Sequence, residues 1–335
     1  MILKVKLNIF IIIVAISCII LSFLVFTKSK QSEHYYKSQD IYQHYKVSKL
    51  ILKGENPYLP ILNSNMKKNE KYPTYLAGFY YLMAPTVKIY PEFTNWISFW
   101  KVIATISYAG VGFLIFENAR KNGKTAIGIA LAMVWLFNRW ALYLATTLSA
   151  DVIAILLLLI SLKIINTKQK TSLFIFGIHL AIKHLTLFLL PLYILKNTKL
   201  NFKNIIKNIA FVLLPIILIS VQFLITSPIA YLQSILFSAT RFADNHFKVI
   251  SLSIGEIFNF YGIYERFPMI VAICFIYLLF AKKKIEFHLS VLLILLISIT
   301  FNPVFFLQYE SWFIAVLLFY LANAKILNSS KDVYK

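Results

Sequence analysis

The chain has 335 residues, of which 59% are hydrophobic and only 14% charged, where a soluble domain of ordinary composition carries about 25% charged residues. Its formal net charge of +21 comes from 34 Lys and Arg against 13 Asp and Glu. In so apolar a chain this excess fits basic loops beside anionic lipid headgroups. It excludes a soluble globular enzyme and gives no reason to expect a nucleic-acid partner.

The first element is the run 7–26, "LNIFIIIVAISCIILSFLVF", about the twenty residues that carry a helix across a bilayer core. Lys4 and Lys6 precede it, and "SFLVFTKSK" follows in place of a small-x-small cleavage site. The run reads as an uncleaved anchor with its N-terminus in the cytoplasm. Cys18 and Cys274 both lie in apolar runs and suggest neither a disulfide framework nor a metal site.

The connection 27–72 contains "DIYQHYKVSKLILKGENPYLP", Asp40 to Pro60. Ser38 is a helix N-cap by type, the pattern is helical from Asp40 to Lys53, and Gly54 and Pro57 supply the stop. Asp40, His44, Val47 and Ile51 fall on one face. Tyr42, Tyr45 and Lys49 are of the kinds that favour the headgroup zone, so this is expected to be a helix lying on the outer membrane surface. By itself Asp40 is an acid that complements a helix N-terminus. His44 has no HExxH or HxxE companion, so no metal is expected.

Nine further hydrophobic segments follow, at about 73–90, 96–117, 125–147, 150–165, 171–195, 208–226, 267–281, 286–303 and 311–327. The expected fold is all-α, a polytopic transmembrane helical bundle forming one integral membrane domain over 1–335, multi-pass in the cell membrane. If every segment crosses, the basic loops 118–124 and 163–170 fall outside. If 73–95 and 171–195 are re-entrant, all the basic loops lie inside, as the positive-inside tendency prefers. Pro85 interrupts the first of these segments, and Lys183-His184 sits at the midpoint of the second, where a re-entrant tip would be. Either arrangement puts the long connections 27–72 and 227–266 outside.

Several charged residues stand in apolar surroundings. Lys183 in mid-segment costs about 2.5–3.5 kcal/mol on insertion scales, which asks for a polar cavity or an anionic partner. Arg139 in "LFNRWALY" is similarly placed, unless it marks a helix end with Trp140 and Tyr143 as belt residues. Asp151 lies at an outer helix end. Arg241, Asp244, His246 and Lys248 cluster in the second outer connection, and Asn302, Tyr309, Glu310 and Trp312 flank the last outer corner.

Four stretches together resemble glycosyltransferase family 87, mannosyltransferase-like membrane enzymes of the GT-C fold. They are "DIYQHYKVSKLILKGENPYLP", "YPTYLAGFYYLMAPTVKIYP", "LSADVIAILLLLISLKIINTKQKTSLFIFGIHLAIKHLTLFLLPLYIL" and "ITFNPVFFLQYESWFIAVLLFYL", in order over about 35–322. Ser149-Ala150-Asp151 stands where the family usually has Gly-Gln. The resemblance implies a GT-C-like bundle whose donor is a polyprenyl-phosphate-sugar and whose acceptor is a glycan or glycolipid on the extracytoplasmic face. It implies no cofactor and no metal, and no obligate protein partner is evident; no Gly-x-Gly-x-x-Gly follows a strand pattern. Asp40 is then expected to be the general base. Lys183, Arg139 and Arg241 are expected at the donor phosphate. His44, Asn56, Tyr58, Asp151, His184, Asp244, His246 and Tyr309 are expected around the substrates. The alternatives are a lipid-linked sugar flippase or secondary transporter, against which the absence of an evident internal repeat argues, and a structural membrane subunit.

Overall fold

A computed structural model describes residues 2–28, 32–63, 73–196, 201–240, 264–302 and 306–324, and among them every regular element is a helix. The first apolar run forms α1 (Ile2–Lys28). Ser32 then caps the short α2 (Glu33–Ser38), its hydroxyl accepting from the Tyr35 amide at 3.2 Å. Gln39, extended at φ −90° and ψ 165°, separates α2 from α3 (Asp40–Leu52). The N-cap of the Asp40 helix is therefore Gln39. Ser38 ends the preceding helix and donates to the Tyr35 carbonyl at 2.7 Å. Gly54, at φ +76°, makes the turn that ends α3, a backbone conformation open to glycine at little cost.

The helix α3 does not simply float on a surface. It buries Ile41, Tyr45, Val47 and Ser48 against α4 (Ala77–Ile89) and the start of α5 (Phe93–Lys121). Tyr45, expected among headgroups, is 4% exposed. Its hydroxyl donates to the Pro91 carbonyl, and its ring lies 5.2 Å from Phe93 and 5.1 Å from Trp96. Pro85 sits inside α4 without breaking it.

The 29-residue α5, ~43 Å long, is the central strut. Packed round it are α1, α6 (Thr125–Phe137), α8 (Asp151–Ile164) and α15 (Gln308–Asn323). The segment 125–147 is bent by 49° into α6 and α7 (Arg139–Thr147). At the bend, the Asn138 side chain accepts from the Trp140 amide at 2.9 Å and caps the second half.

The helices α8 and α9 (Gln169–Ile182) form a hairpin. At Lys183 the backbone turns extended, φ −149° and ψ 113°, and a 3-10 stretch, His184–Leu189, leads into α10 (Leu190–Leu195). The segment 171–195 folds back on itself. Its ends meet where Gln169 donates to the Lys196 carbonyl at 2.8 Å, Phe176 stacks on Tyr193 at 3.9 Å, and Lys183 is the tip. The chain continues as α11 (Phe202–Thr226), α12 (Pro228–Thr240), α13 (Phe267–Ala281) and α14 (Phe287–Thr300) before α15. The helix α12 corrects one expectation: the beginning of the 227–266 connection is an apolar helix opened by Pro228, not loop.

Of the ten apolar segments, three contain helices long and apolar enough to cross a membrane, α1, α5 and α11, and the bent pair α6–α7 makes a fourth if it counts as one span. The main α-helix of each other segment has 13 to 16 residues. At ~20–24 Å each is shorter than the ~30 Å hydrocarbon core.

Candidate functional site

The site lies toward the Phe93 end of α5, where four chain turns converge. Asp40 and His44 come from the first two turns of α3, and Tyr75 from the bend before α4. Tyr143 and Thr147 come from α7, Ser149 from the α7–α8 turn, and Gln308 from the start of α15. Together with Gln39 and Ile41 they line one open cleft of about 40 Å³. By the usual measure that is room for a few waters, hence for a hydroxyl or phosphate group and not a whole sugar. Asp40 is exposed at its rim. The His44 ring lies 4.9 Å from the Tyr75 ring and 4.9 Å from Phe79.

Beneath the cleft is a buried ion pair. Lys183 Nζ stands 2.6 Å from Asp151 Oδ1, the two side chains being 6% and 1% exposed. Asp151 opens α8 three residues after Leu148, which caps α7 in the left-handed conformation at φ 51°, an unusual state for a branched apolar residue. That turn points the Leu148 carbonyl at the Trp100 indole N–H, 3.4 Å away. It also sets Ser149 beside Asp151, and the Ser149 hydroxyl donates to Oδ2. Trp312 in α15 donates its indole N–H to Oδ1 at 2.7 Å. The carboxylate thus has three donors, which is what a buried charge requires. Lys183 in turn donates to the Tyr75 hydroxyl at 3.2 Å. His179, one turn before Lys183, hydrogen-bonds the Ala154 carbonyl at 2.8 Å and lies against Trp312, tying the hairpin to α15.

The sequence-expected residues divide accordingly. Asp40 and His44 line the cleft, and Lys183 and Asp151 meet directly below it, partnered with each other. Asn56 and Tyr58 do other work. The Asn56 side chain accepts from the Tyr58 amide at 3.0 Å, closing an Asn-Pro-Tyr turn. Tyr58 is 0% exposed, wedged between Phe223 and Tyr231, with its hydroxyl on the Tyr75 carbonyl at 3.0 Å. It cannot touch a substrate; it anchors the backbone that presents Tyr75. Arg139 is exposed at the first residue of α7, over its own Trp140 ring at 4.7 Å, and does not line the cleft. Neither does His184, whose Nδ1 is buried with no hydrogen-bond partner among the described residues. Tyr309 packs on Phe306 at 5.4 Å while its neighbour Gln308 faces the cleft. Trp312, expected beside the last outer corner, is wholly buried. Arg241, Asp244 and His246 lie outside the described residues.

Sequence reasoning missed Tyr75, Thr147 and Gln308 as lining residues. Tyr75 stood in the quoted "YPTYL" block, and its position directly before a helix was the available signal. No three His, Cys, Asp or Glu among the described residues cluster closely enough to hold a metal ion. No protein-family model matches the chain, nor does any curated protein or solved structure.

Proposed function

We propose that the protein is a membrane glycosyltransferase of the GT-C kind. It would transfer a hexose, most simply mannose, from a polyprenyl-phosphate-sugar to an extracytoplasmic glycan or glycolipid. One observation carries this reading: an exposed carboxylate, Asp40, on the rim of a cleft whose other polar lining includes His44, Tyr75, Ser149 and Gln308, in the stretch that resembles family 87. Inverting transfer needs little more from the protein than this. Asp40 accepts the proton of the acceptor hydroxyl while that oxygen bonds to the anomeric carbon. The bond from carbon to phosphate oxygen breaks, and its electron pair leaves with the lipid phosphate. The sugar and acceptor lie over the cleft, with the reacting groups at its mouth.

The test is release of labelled mannose from polyprenyl-phosphate-mannose by the purified protein in lipid, with a mixed glycan extract as acceptor. Transfer is expected from the parent, and Asp40→Asn should lower it by about 10²–10⁴-fold. Equal transfer by both would move the base elsewhere.

A second reading, a lipid-linked sugar flippase or secondary transporter, draws on a different observation. Two helices are broken, at Asn138 and at Lys183, and the second break carries a buried ion pair, as discontinuous helices at transporter sites do. Movement of intact lipid-linked sugar across a vesicle, with no transfer product, would favour it.

A further inference from the structure

Among the described residues that line the cleft there is no Lys or Arg. A fixed cation below it, Lys183, is 4% exposed and held by Asp151. It reaches the cleft through one intermediary, Tyr75, to whose hydroxyl it donates. An ammonium has protons and no lone pair, so the phenol oxygen is the acceptor in this bond, and the phenol's own proton must be directed to another acceptor. Donation from a cation polarises that O–H and makes it a stronger donor. Tyr58 and Asn56 hold the backbone in place, the Tyr58 hydroxyl bonding the Tyr75 carbonyl at 3.0 Å. The phenol is thus fixed at both ends. A lysine in the cleft itself would pair with Asp40 and weaken it as a base, whereas a neutral phenol polarised from behind does not.

We propose that Tyr75 is a second substrate-contacting residue of this cleft, donating a hydrogen bond to a phosphate oxygen of the polyprenyl-phosphate group, with Lys183 and Asp151 as the residues that position it. The substrate named here rests on the glycosyltransferase reading. Tyr75 transfers no proton: its bond shortens as negative charge gathers on the departing phosphate, while the acceptor's proton goes to Asp40.

The test separates binding from transfer. Binding of radiolabelled farnesyl phosphate, a short polyprenyl phosphate, is measured on purified full-length protein alongside mannose transfer. Tyr75→Phe should weaken farnesyl phosphate binding about tenfold and lower kcat about a hundredfold without moving the thermal midpoint. Replacing Tyr75 by 3,5-difluorotyrosine, with a more acidic phenol, should change kcat, which a merely packing role would not do. Lys183→Arg should retain binding. Lys183→Gln combined with Asp151→Asn, which keeps polar partners and removes both charges, should weaken binding as Tyr75→Phe does, and adding Tyr75→Phe should cost nothing more. Transfer by the parent with Tyr75→Phe unchanged in binding and rate would overturn the proposal. So would absence of farnesyl phosphate binding by the parent. Tyr75-dependent binding with no sugar transfer would keep Tyr75 as a phosphate ligand and overturn the transferase reading alone.

Discussion

Lys183 and Asp151 constrain one another, because each is buried and each neutralises the other. Removing one partner of such a pair leaves a charge without compensation and costs about 3–5 kcal/mol, while replacing both by apolar residues of similar size is often tolerated. Lys183→Met should therefore lower the thermal midpoint in detergent sharply, since Asp151 would keep only Ser149 and Trp312 as donors. The double variant Lys183→Met with Asp151→Leu should regain a good part of the loss. Losses that simply add would show that the two side chains act independently. The insertion cost of Lys183 was legible from its place in an apolar run, and so was the conclusion that it needs an anionic partner. That this partner is inside the chain was not, because Asp151 read as an acid at an exposed helix end. Tyr58, expected around the substrates, misled for a related reason. It stands in an outer connection, and only tertiary packing shows that its hydroxyl serves the interior.

At the scale of elements, the pair is a consequence of one hairpin. The helices α8 and α9 have 14 residues each and turn at the basic loop between them, so residues equidistant from that turn face one another. Ser161 bonds Ser172, Ala154 bonds His179, and Asp151 reaches Lys183. That symmetry was present in the sequence, and pairing the segments as a hairpin would have predicted the ion pair. What no single-chain pattern shows is the third helix, α11, which lies so close to α9 that Gly177 has no room for a side chain. A Cβ there would stand 2.2 Å from the Val212 carbonyl oxygen and 2.6 Å from Pro215 Cγ, backbone and ring atoms that cannot rotate away. Small residues at such crossings let membrane helices approach. Gly177→Ala should destabilise the protein by about 1–3 kcal/mol through forced separation of α9 and α11. Gly110→Ala, whose Cβ would meet only the flexible Leu156 side chain, at 3.1 Å, should be close to neutral by the same thermal assay. Equal effects at both positions would mean that the α9–α11 contact is looser than drawn.

For the whole molecule the orienting feature is a group of cations at the end away from the cleft, whereas at the cleft end Lys37, Lys46, Lys49 and Lys53 are mixed with the acids Glu33, Asp40, Glu55 and Glu92. Trp100, whose indole bonds the turn beside the cleft, is about two helical turns from the Phe93 end of α5, while Arg120 and Lys121 mark the other end. Lys163 at the end of α8 lies within electrostatic reach of both these cations. The helix α1 runs antiparallel to α5, with Phe10 against Phe116 and Phe26 against Tyr108, so the start of α1 is at the basic end. Lys196, which closes the fold-back beside Gln169, belongs to that end as well. Cations gathered at one end of a helical bundle are retained on the cytoplasmic side of a membrane, which would turn the Asp40 cleft outward, to the side where a lipid-borne sugar and no nucleotide sugar is at hand. The prediction is read by cysteine labelling in cells, in a background where Cys18 and Cys274 are replaced by Ser. A membrane-impermeant maleimide should label Glu55→Cys, in the exposed turn after α3, in intact cells, and should label Lys121→Cys only after permeabilisation. The reverse pattern would put the cleft in the cytoplasm and remove the reason for a lipid-linked donor. Labelling of both from one side would mean that α5, the longest helix among the described residues, does not cross the bilayer at all.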